Sequence, residues 1–456
     1  MRRLTKTALY ILIAGASALV YTNVAAAKDI SRTDRYFTDS TGKPVFLIGY
    51  YGWASVAPGY YINGSEQYAD VITKCAPYGI NYVRVSLGIN RFSDSTTPPS
   101  YDGRPTPIPF RCVDGKADLD QWDDTFRTGL RSQCELAKRK GVFLHLCLFD
   151  GVDIRGGRTV YRWVGSYYNI DNQVRDFYGD LDRNGDSNAD EDGDFYRLND
   201  FNNNTGVGYY QRKLIDKVIA ETAEYPNIFY EVGNEMIGSS SEWNAAVINY
   251  AKTKTKKPVT ICGGKTPSNT DGVADHGGND PLAVKSIVAR MVGKGYPVWV
   301  DPDGSQMGRA SADDQRRAAW YCFAGGAAGW GGFSGDFWRG GLNRVKAGYY
   351  RNLFHFIRVL RVKFWDMVPT QNLISNSAEN SCLAEEGRSY VLYVLKDPNV
   401  TLDLSKVVGN MRYQIYNPKN TWTGQMLTVA GGGVRTFNKP PGAEDWVVYI
   451  HATPGK

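Results

Sequence analysis

The sequence predicts a (β/α)8 barrel, a TIM barrel of the α/β class, followed by a small all-β sandwich. Eight apolar, strand-like runs alternate with helix-like segments between about residues 45 and 333. These runs are continuous rather than alternating, which indicates strands that are covered on both faces. From about residue 375 the pattern changes to short strands separated by turn residues. A chain of 456 residues is long enough for both domains.

The barrel strands are expected, in chain order, at 45–50, 81–87, 142–149, 228–236, 258–262, 272–276, 296–301 and 329–333. Helical patterns between them cover 66–78, 119–140, 209–225, 243–254 and 312–323. Active residues of such barrels lie at the C-terminal ends of the strands. Polar or aromatic residues stand at several of these ends: Asp150, Glu235, Asp275, His276, Asp301, Asp303 and Trp330.

The second domain is expected to contain strands at 390–395, 412–416, 425–429 and 446–450. Turn chemistry separates them, including Asn417-Pro418 and three consecutive glycines at 431–433. The prediction therefore assigns residues 28–374 to the barrel and 375–456 to a β-sandwich.

Residues 1–27 have the features of a secretory signal peptide. Arg2, Arg3 and Lys6 precede an apolar run, and three alanines at 25–27 precede Lys28. We therefore expect a secreted or periplasmic protein. No later apolar stretch is long enough to span a bilayer, so no integral membrane segment is expected after cleavage.

The net charge of the mature chain bears on the class of partner that is expected. Removal of Arg2, Arg3 and Lys6 lowers the formal net charge from +6 to +3, which gives no reason to expect nucleic acid or an anionic membrane as partner.

The seven cysteines have no metal-type spacing, and their odd number leaves at least one unpaired in a monomer. Cys147 and Cys262 lie in apolar runs and are expected to be buried, whereas Cys112 and Cys134 could form a bridge.

Three segments carry a family resemblance. The opening run 41–49, the 79–84 strand that ends in Arg84, and the Gly233-Asn234-Glu235 strand end resemble the superfamily of retaining glycoside hydrolase barrels, more narrowly its cellulase-like and apiosidase-like members. The resemblance implies a carbohydrate substrate. It also implies that Arg84 supports the catalytic carboxylates, that Asn234 holds the sugar 2-hydroxyl, and that Glu235 is the acid and base. Residues 390–450 resemble the collagen-binding-type β-sandwich that follows many such barrels.

The chain departs from that family at the seventh strand. The family places a nucleophilic Glu there, but Pro302 takes this position, with Asp301 and Asp303 beside it. An Asp is one methylene shorter than a Glu, and a displacement of about 1 Å in a reacting group can cost roughly a hundredfold in rate. Asp301 and Asp303 are the candidate substitutes.

Three hypotheses remain open for this site. In the first, Asp301 or Asp303 attacks the anomeric carbon, which needs roughly 5–5.5 Å between that carboxyl and Glu235. In the second, the Asp activates a water molecule and the reaction inverts, with a separation of roughly 6.5–9.5 Å. In the third, the barrel binds glycans without cleaving them.

Aromatic residues supply further candidates for sugar binding. Their content is 13%, with 30 Tyr and 11 Trp, and flat rings stack well on sugar faces. Trp53 and Trp330 stand at strand ends, and His276 at the sixth strand end is a third candidate contact. Each of these side chains could equally belong to the core.

The segment 180–191 matches the calcium-loop pattern D-x-[DN]-x-[DN]-G-x5-E in full, with Gly185 at the turn. Seven acids between 180 and 194 would repel one another unless a cation or water screened them. A structural Ca²⁺ that orders this loop is therefore expected, the alternative being a solvated acidic insertion. The candidate ligands are Asp180, Asp182, Asn184, Asp186 and Glu191.

Overall fold

The computed structural model describes residues 30–39, 41–52, 61–62, 66–87, 100–101, 104–105, 108–155, 163–174, 195–278, 280–302, 310–332 and 342–452. Its central element is a closed barrel of eight parallel strands, in which β8 pairs with β1. The strands are β1 Leu47–Gly52, β2 Tyr82–Ser86, β3 Phe143–Asp150, β4 Ile228–Asn234, β5 Val259–Cys262, β6 Val273–Asp275, β7 Val298–Val300 and β8 Gly329–Trp330. All eight predicted strands are present, and the predicted barrel is confirmed.

Helices surround the barrel, and several of them begin at a residue whose side chain caps the first turn. Ser240 and Asp280 each accept a hydrogen bond from a first-turn backbone N–H of the helix that follows. The helices are α1 Tyr68–Cys75, α2 Asp124–Lys140, α3 Gly151–Ile154, α4 Leu198–Asn203, α5 Gly206–Thr222, α6 Ser241–Lys254, α7 Pro281–Met291, α8 Ala312–Ala324 and α9 Arg344–Val359.

The predicted helix over 119–140 is wrong at its start. Lys116–Trp122 is a β-strand that pairs antiparallel with Phe110–Val113, and Leu119 on it is fully buried. The helix begins only after Asp123, whose side chain accepts a hydrogen bond from the N–H of Phe126 at 2.7 Å. This N-cap, rather than the apolar pattern, sets the boundary.

The C-terminal region is a sandwich of a six-stranded and a two-stranded antiparallel sheet. The larger has the order β9-β10-β11-β16-β13-β14 and the smaller pairs β12 with β15. The strands are β9 Val368–Pro369, β10 Ser381–Glu385, β11 Ser389–Val394, β12 Asn399–Asp403, β13 Asn410–Tyr416, β14 Leu427–Ala430, β15 Val434–Asn438 and β16 Trp446–Ala452. Leu392, Val400, Phe437 and Val448 pack together between the sheets. Four of these strands, β9, β10, β12 and β15, were not predicted.

The larger sheet also packs against the barrel, because successive side chains of a strand point to opposite faces. On β11, Tyr390, Leu392 and Val394 belong to the sandwich core, whereas Val391 and Tyr393 belong to the main core. Tyr393 stacks on Trp320 of α8, with ring centroids 5.9 Å apart. One face of this sheet is therefore buried against the barrel.

All seven cysteines are unbridged, and every one except Cys112 is buried. Cys147 and Cys262 are fully buried, as predicted. Cys112 and Cys134 are not bonded to each other. Among the described residues, no helix is both long enough and apolar enough to cross a membrane.

Candidate active site

The C-terminal ends of β3, β4, β6 and β7 bring a set of polar side chains together at one end of the barrel. Asp150 ends β3 and is paired in register with Asn234 on β4. His276 follows β6 and donates from Nδ1 to the carbonyl oxygen of Asp301, just after β7, at 2.9 Å. Glu235 follows β4 and lies within ion-pair distance of His276. The structure therefore brings together four of the predicted strand-end residues, Asp150, Glu235, His276 and Asp301.

Glu235 adopts a left-handed backbone conformation, with φ of +47°. This region is disfavoured for residues other than glycine, and such strain persists only where the surroundings enforce it. Two glycines permit the arrangement. A Cβ on Gly151 would lie 2.3 Å from the carbonyl oxygen of Glu235, and one on Gly263 would lie 3.3 Å from its Cα. The fold thus holds Glu235 in a strained position at the barrel mouth.

The carboxylate of Glu235 is held on both sides. Arg155 donates from Nη2 to Oε2 at 2.6 Å, and Nε2 of His276 lies 3.5 Å from Oε1. The side chain of Glu235 remains 20% exposed. It is consequently an oriented carboxylate that a ligand at the barrel mouth can reach.

Asn234 is fixed by two partners of opposite character. Its Oδ1 accepts from Nη2 of Arg84 at 3.0 Å, and its Nδ2 donates to Oδ1 of Asp150 at 3.2 Å. Asp150 also accepts from Ser86 and from the N–H of Val152. Burial raises the pKa of Asp150, and the nearby charge of Glu235 adds to this, against the lowering effect of the Asn234 hydrogen bond.

Arg84 is buried, and its main partner was not predicted. It donates from Nε to Oε2 of Glu231 at 2.9 Å and from Nη2 to Oε1. Burial acts to raise the pKa of Glu231, but the charge of Arg84 and His145 beside it lower the pKa overall. The available sequence signal was an acid inside the otherwise apolar run of β4, since a buried acid needs a partner.

Asp301 lies in the barrel interior rather than at its exposed rim. Its Oδ2 accepts from Tyr82 and from Nε1 of Trp299, each at 2.8 Å, and lies 3.8 Å from Nε of Arg84. Asp301 is 0% exposed. A Cβ on Gly331 would lie only 1.5 Å from its Oδ1. Burial raises the pKa of Asp301, although Arg84 and its hydrogen bonds act to lower it.

The remaining candidates have different outcomes. Trp330 is fully buried, so its ring packs in the core and, as placed, presents no face to a ligand. Among the described residues, no group of three or more His, Cys, Asp and Glu side chains is arranged to hold a metal ion. The other predicted site residues lie outside the described part of the chain: Trp53, Asp303, Asp180, Asp182, Asn184, Asp186 and Glu191.

Solved structures of similar fold include glycoside hydrolases and an alpha-amylase. A protein titled "Glycoside hydrolase" superposes with a TM-score of 0.64 at 13% identity, covering 94% of this chain and 98% of that one. A family 5 glycoside hydrolase from Bacteroides vulgatus gives 0.63 at 15% identity, covering 94% of both chains. A maltogenic alpha-amylase from Thermotoga neapolitana gives 0.55 at 12% identity, covering 89% of this chain and 99% of that one. At these identities the shared feature is the fold.

Residues 368–451 match a family model described as "Putative collagen-binding domain of a collagenase". This match begins where β9 begins, so it covers the sandwich as the structure forms it. A search of the curated proteins finds no match. The resemblance to glycoside hydrolase barrels with this type of C-terminal domain is therefore confirmed at the level of fold.

Proposed function

We propose that this chain is a glycoside hydrolase that cleaves an O-glycosidic bond in an oligosaccharide or polysaccharide, with Glu235 as its acid and base. The strained, oriented and partly exposed carboxylate of Glu235 at the end of β4 is the observation that carries the proposal. Backbone strain of this kind clusters at functional sites. The similarity in fold to solved glycoside hydrolases supports the same conclusion.

In the proposed reaction, protonated Glu235 donates its proton to the glycosidic oxygen as the bond to the anomeric carbon breaks. Asn234 presents an amide that Arg84 and Asp150 hold in place, and we propose that it binds the 2-hydroxyl of the sugar. In the retaining form of the reaction, the second carboxylate bonds to the anomeric carbon as the leaving group departs, and the ionised Glu235 then removes a proton from the water that displaces it. In the inverting form, the second carboxylate removes the proton from the attacking water. Each of these roles depends on the fixed position of the residue that performs it.

The second carboxylate is proposed to be Asp301 or Asp303. As Asp301 is placed, its buried carboxylate would need the end of β7 to rearrange before it could reach a sugar. Asp303 stands two residues further along the chain. The retaining and inverting forms of the reaction differ in whether this Asp attacks carbon or activates water.

A panel of aryl glycosides and polysaccharides, assayed for released sugar, tests the proposal. We expect Glu235→Gln to lower kcat on natural glycans by about 10²–10⁴-fold, since it removes the transferable proton. Glu224→Gln is the matched control, because Glu224 pairs with Arg131 on the outer surface. Asp301→Asn and Asp303→Asn, assayed in parallel, distinguish the two Asp candidates. Unchanged turnover in Glu235→Gln would contradict the acid role.

A second candidate function is glycan binding without cleavage. The burial of Asp301 and the presence of Pro302 in place of the family's Glu favour it. This alternative predicts that wild-type protein retains a glycan on an affinity gel and releases no reducing sugar over long incubation. Product formation that disappears in Glu235→Gln would eliminate it.

We further propose that the protein is exported and that segment 180–191 binds Ca²⁺ in a structural role. Both proposals rest on the sequence pattern. Detection of the mature protein, beginning near Lys28, in the periplasm or culture medium tests export. For calcium, we expect Ca²⁺ but not Mg²⁺ to raise the Tm of wild-type protein, and Glu191→Gln to abolish the effect. An equal Tm with and without Ca²⁺ would contradict the proposal.

The role proposed for the C-terminal sandwich is to brace the barrel. The matching family model is named for collagen binding, but one face of the larger sheet is buried against α8 and α9 and is not free to hold a ligand. Removal of residues 368–456 is expected to prevent soluble folding of the barrel. A truncated barrel with full stability would contradict the bracing role.

A further inference from the structure

Arg155 is the described side chain that binds Glu235 most closely, and no family resemblance or sequence motif pointed to it. Its Nη2 donates to Oε2 of Glu235 at 2.6 Å and to the backbone carbonyl oxygen of the same residue at 2.8 Å. One nitrogen therefore ties the carboxylate of Glu235 to its own main chain. This arrangement limits the side-chain rotation of Glu235 while it supports the strained backbone.

The backbone of Arg155 is itself well anchored. Its N–H donates to the carbonyl oxygen of Gly151 at 3.2 Å, and this hydrogen bond closes the C-terminal end of α3. Its carbonyl oxygen accepts from the N–H of Trp163 at 3.1 Å, and Trp163 is buried. The guanidinium is therefore delivered from a fixed point between β3 and β4. A residue that positions a functional group must itself be held in place by its surroundings.

The two oxygens of Glu235 are not equivalent as a result. Oε2 accepts an N–H from Arg155, so a proton on Oε2 would be directed at a cationic donor. Oε1 lies 3.5 Å from Nε2 of His276, whereas the two hydrogen bonds from Arg155 go to Oε2 and to the backbone carbonyl oxygen of Glu235. Arg155 therefore leaves Oε1 as the oxygen that can carry the transferable proton.

We infer that Arg155 is the positioning residue for proton donation by Glu235, an inference that rests on the proposed function. The proton leaves Oε1 for the glycosidic oxygen, and the bond from that oxygen to the anomeric carbon breaks while the second carboxylate, or the water that it activates, bonds to that carbon. The leaving group departs as an alcohol. Glu235 remains as a carboxylate whose charge Arg155 already neutralises. Arg155 thus fixes the direction of transfer and stabilises the conjugate base.

The test compares leaving groups, because a good leaving group departs without protonation. Aryl glycosides with a 2,4-dinitrophenyl leaving group need no acid, whereas alkyl glycosides and oligosaccharides do. For Arg155→Gln we expect kcat/KM to fall about 100-fold on the glycosides that need an acid. On the dinitrophenyl glycosides it should stay within about threefold of wild type. A purely structural role would lower both to the same extent.

Two further variants keep the test decisive if Arg155→Gln folds poorly. Arg155→Lys retains the positive charge but not the planar set of guanidinium N–H donors, and it should recover part of the rate that Arg155→Gln loses. In Arg155→Ala, added methylguanidinium should restore activity on the alkyl glycosides, which general damage to the fold would not permit. Arg131→Gln is the matched control, since Arg131 also pairs with glutamates but joins α2 to the end of α5.

The outcomes separate this inference from the proposed function. Wild-type protein that hydrolyses neither class of glycoside would overturn both. Wild-type protein that hydrolyses both classes, together with an Arg155→Gln variant that slows both equally or neither, would overturn the role of Arg155 alone. Loss confined to glycosides that need an acid, with rescue by methylguanidinium, supports the inference.

Discussion

Two buried arginines of this protein have different surroundings. Arg84 lies inside the barrel with Glu231 and Asp301. Arg316 on α8 lies at the contact with the sandwich, where Nη2 and Nε bind the two carboxylate oxygens of Asp445 at 2.7 and 3.2 Å. Both arginines are 1% exposed. Equal burial therefore does not imply an equal role.

The two sites differ in how many carboxylate oxygens of the neighbouring acids, Asp445 and Asp301, accept hydrogen bonds. Asp445 uses both oxygens, and Tyr393 donates a further hydrogen bond to Oδ2 at 2.9 Å. Asp301 binds Tyr82 and Trp299 through Oδ2, but within the described structure its buried Oδ1 has no hydrogen-bond partner. A buried polar network in which every group is hydrogen-bonded makes the structure rigid, and a catalytic role is one explanation for a buried acid with an unbonded oxygen.

The largest effect should come from breaking the pair at the domain contact. Arg316→Met leaves Asp445 buried without its charge partner, which should lower the free energy of unfolding by about 3–5 kcal/mol. Equilibrium denaturation measures this loss, and kcat of the folded fraction should be unchanged. The matched variant Arg84→Met leaves Glu231 buried without its charge partner, and this variant should lose both stability and activity. If Arg316→Met and Arg84→Met changed kcat equally, the two arginines would not differ in role.

An intermediate effect is expected where a glycine makes room for Asp301. Gly331→Ala would place a Cβ 1.5 Å from Oδ1 of Asp301, so the acid must move, at a cost of about 1–3 kcal/mol. Gly348 within α9 is the control, because a Cβ there meets nothing within 4 Å. Gly348→Ala should stabilise the protein by about 0.5–1 kcal/mol. A Gly331→Ala variant as stable as wild type would show that Asp301 is not confined.

The smallest expected effect is the dependence of the free energy of unfolding on pH through His145, which lies beside Glu231 inside the barrel. Burial, the largest cause, lowers the pKa of His145 to about 3, while Glu231 acts to raise it. The unfolded chain, with a His pKa of about 6.5, binds a proton that the folded state excludes, so stability falls as pH drops from 6.5 towards 3. Between pH 6.5 and 5.5 the loss should approach about 1 kcal/mol.

Chemical denaturation across this pH range measures the slope, and His145→Gln should flatten it. His355 is the control, because burial and Arg351 also lower its pKa but its ring is much less buried. His355→Gln should reduce the slope by less. An identical slope in wild type and His145→Gln would show that His145 does not titrate in this way.

Much of the fold was predictable because its signals are local. The continuous apolar runs and the intervening helical periodicity identified all eight barrel strands, and the strand-end position of Glu235 followed from them. Boundaries were less accurate where a single side chain decided them, as Asp123 did for α2. Short strands such as Val368–Pro369 have no periodic signal of their own, since they form only by pairing with β10.

The sequence by itself determined the barrel, the sandwich and the polar residues that stand at the strand ends. Only the tertiary structure decided which of them meet. Arg84 and Glu231 are 147 positions apart, and Arg155 reaches Glu235 across 80. Asp301 likewise has room for its carboxylate only because residue 331, which follows the neighbouring strand β8, is a glycine. Strand periodicity acts over a few residues, whereas charge pairing and burial arise only when closure of the barrel brings distant strands together.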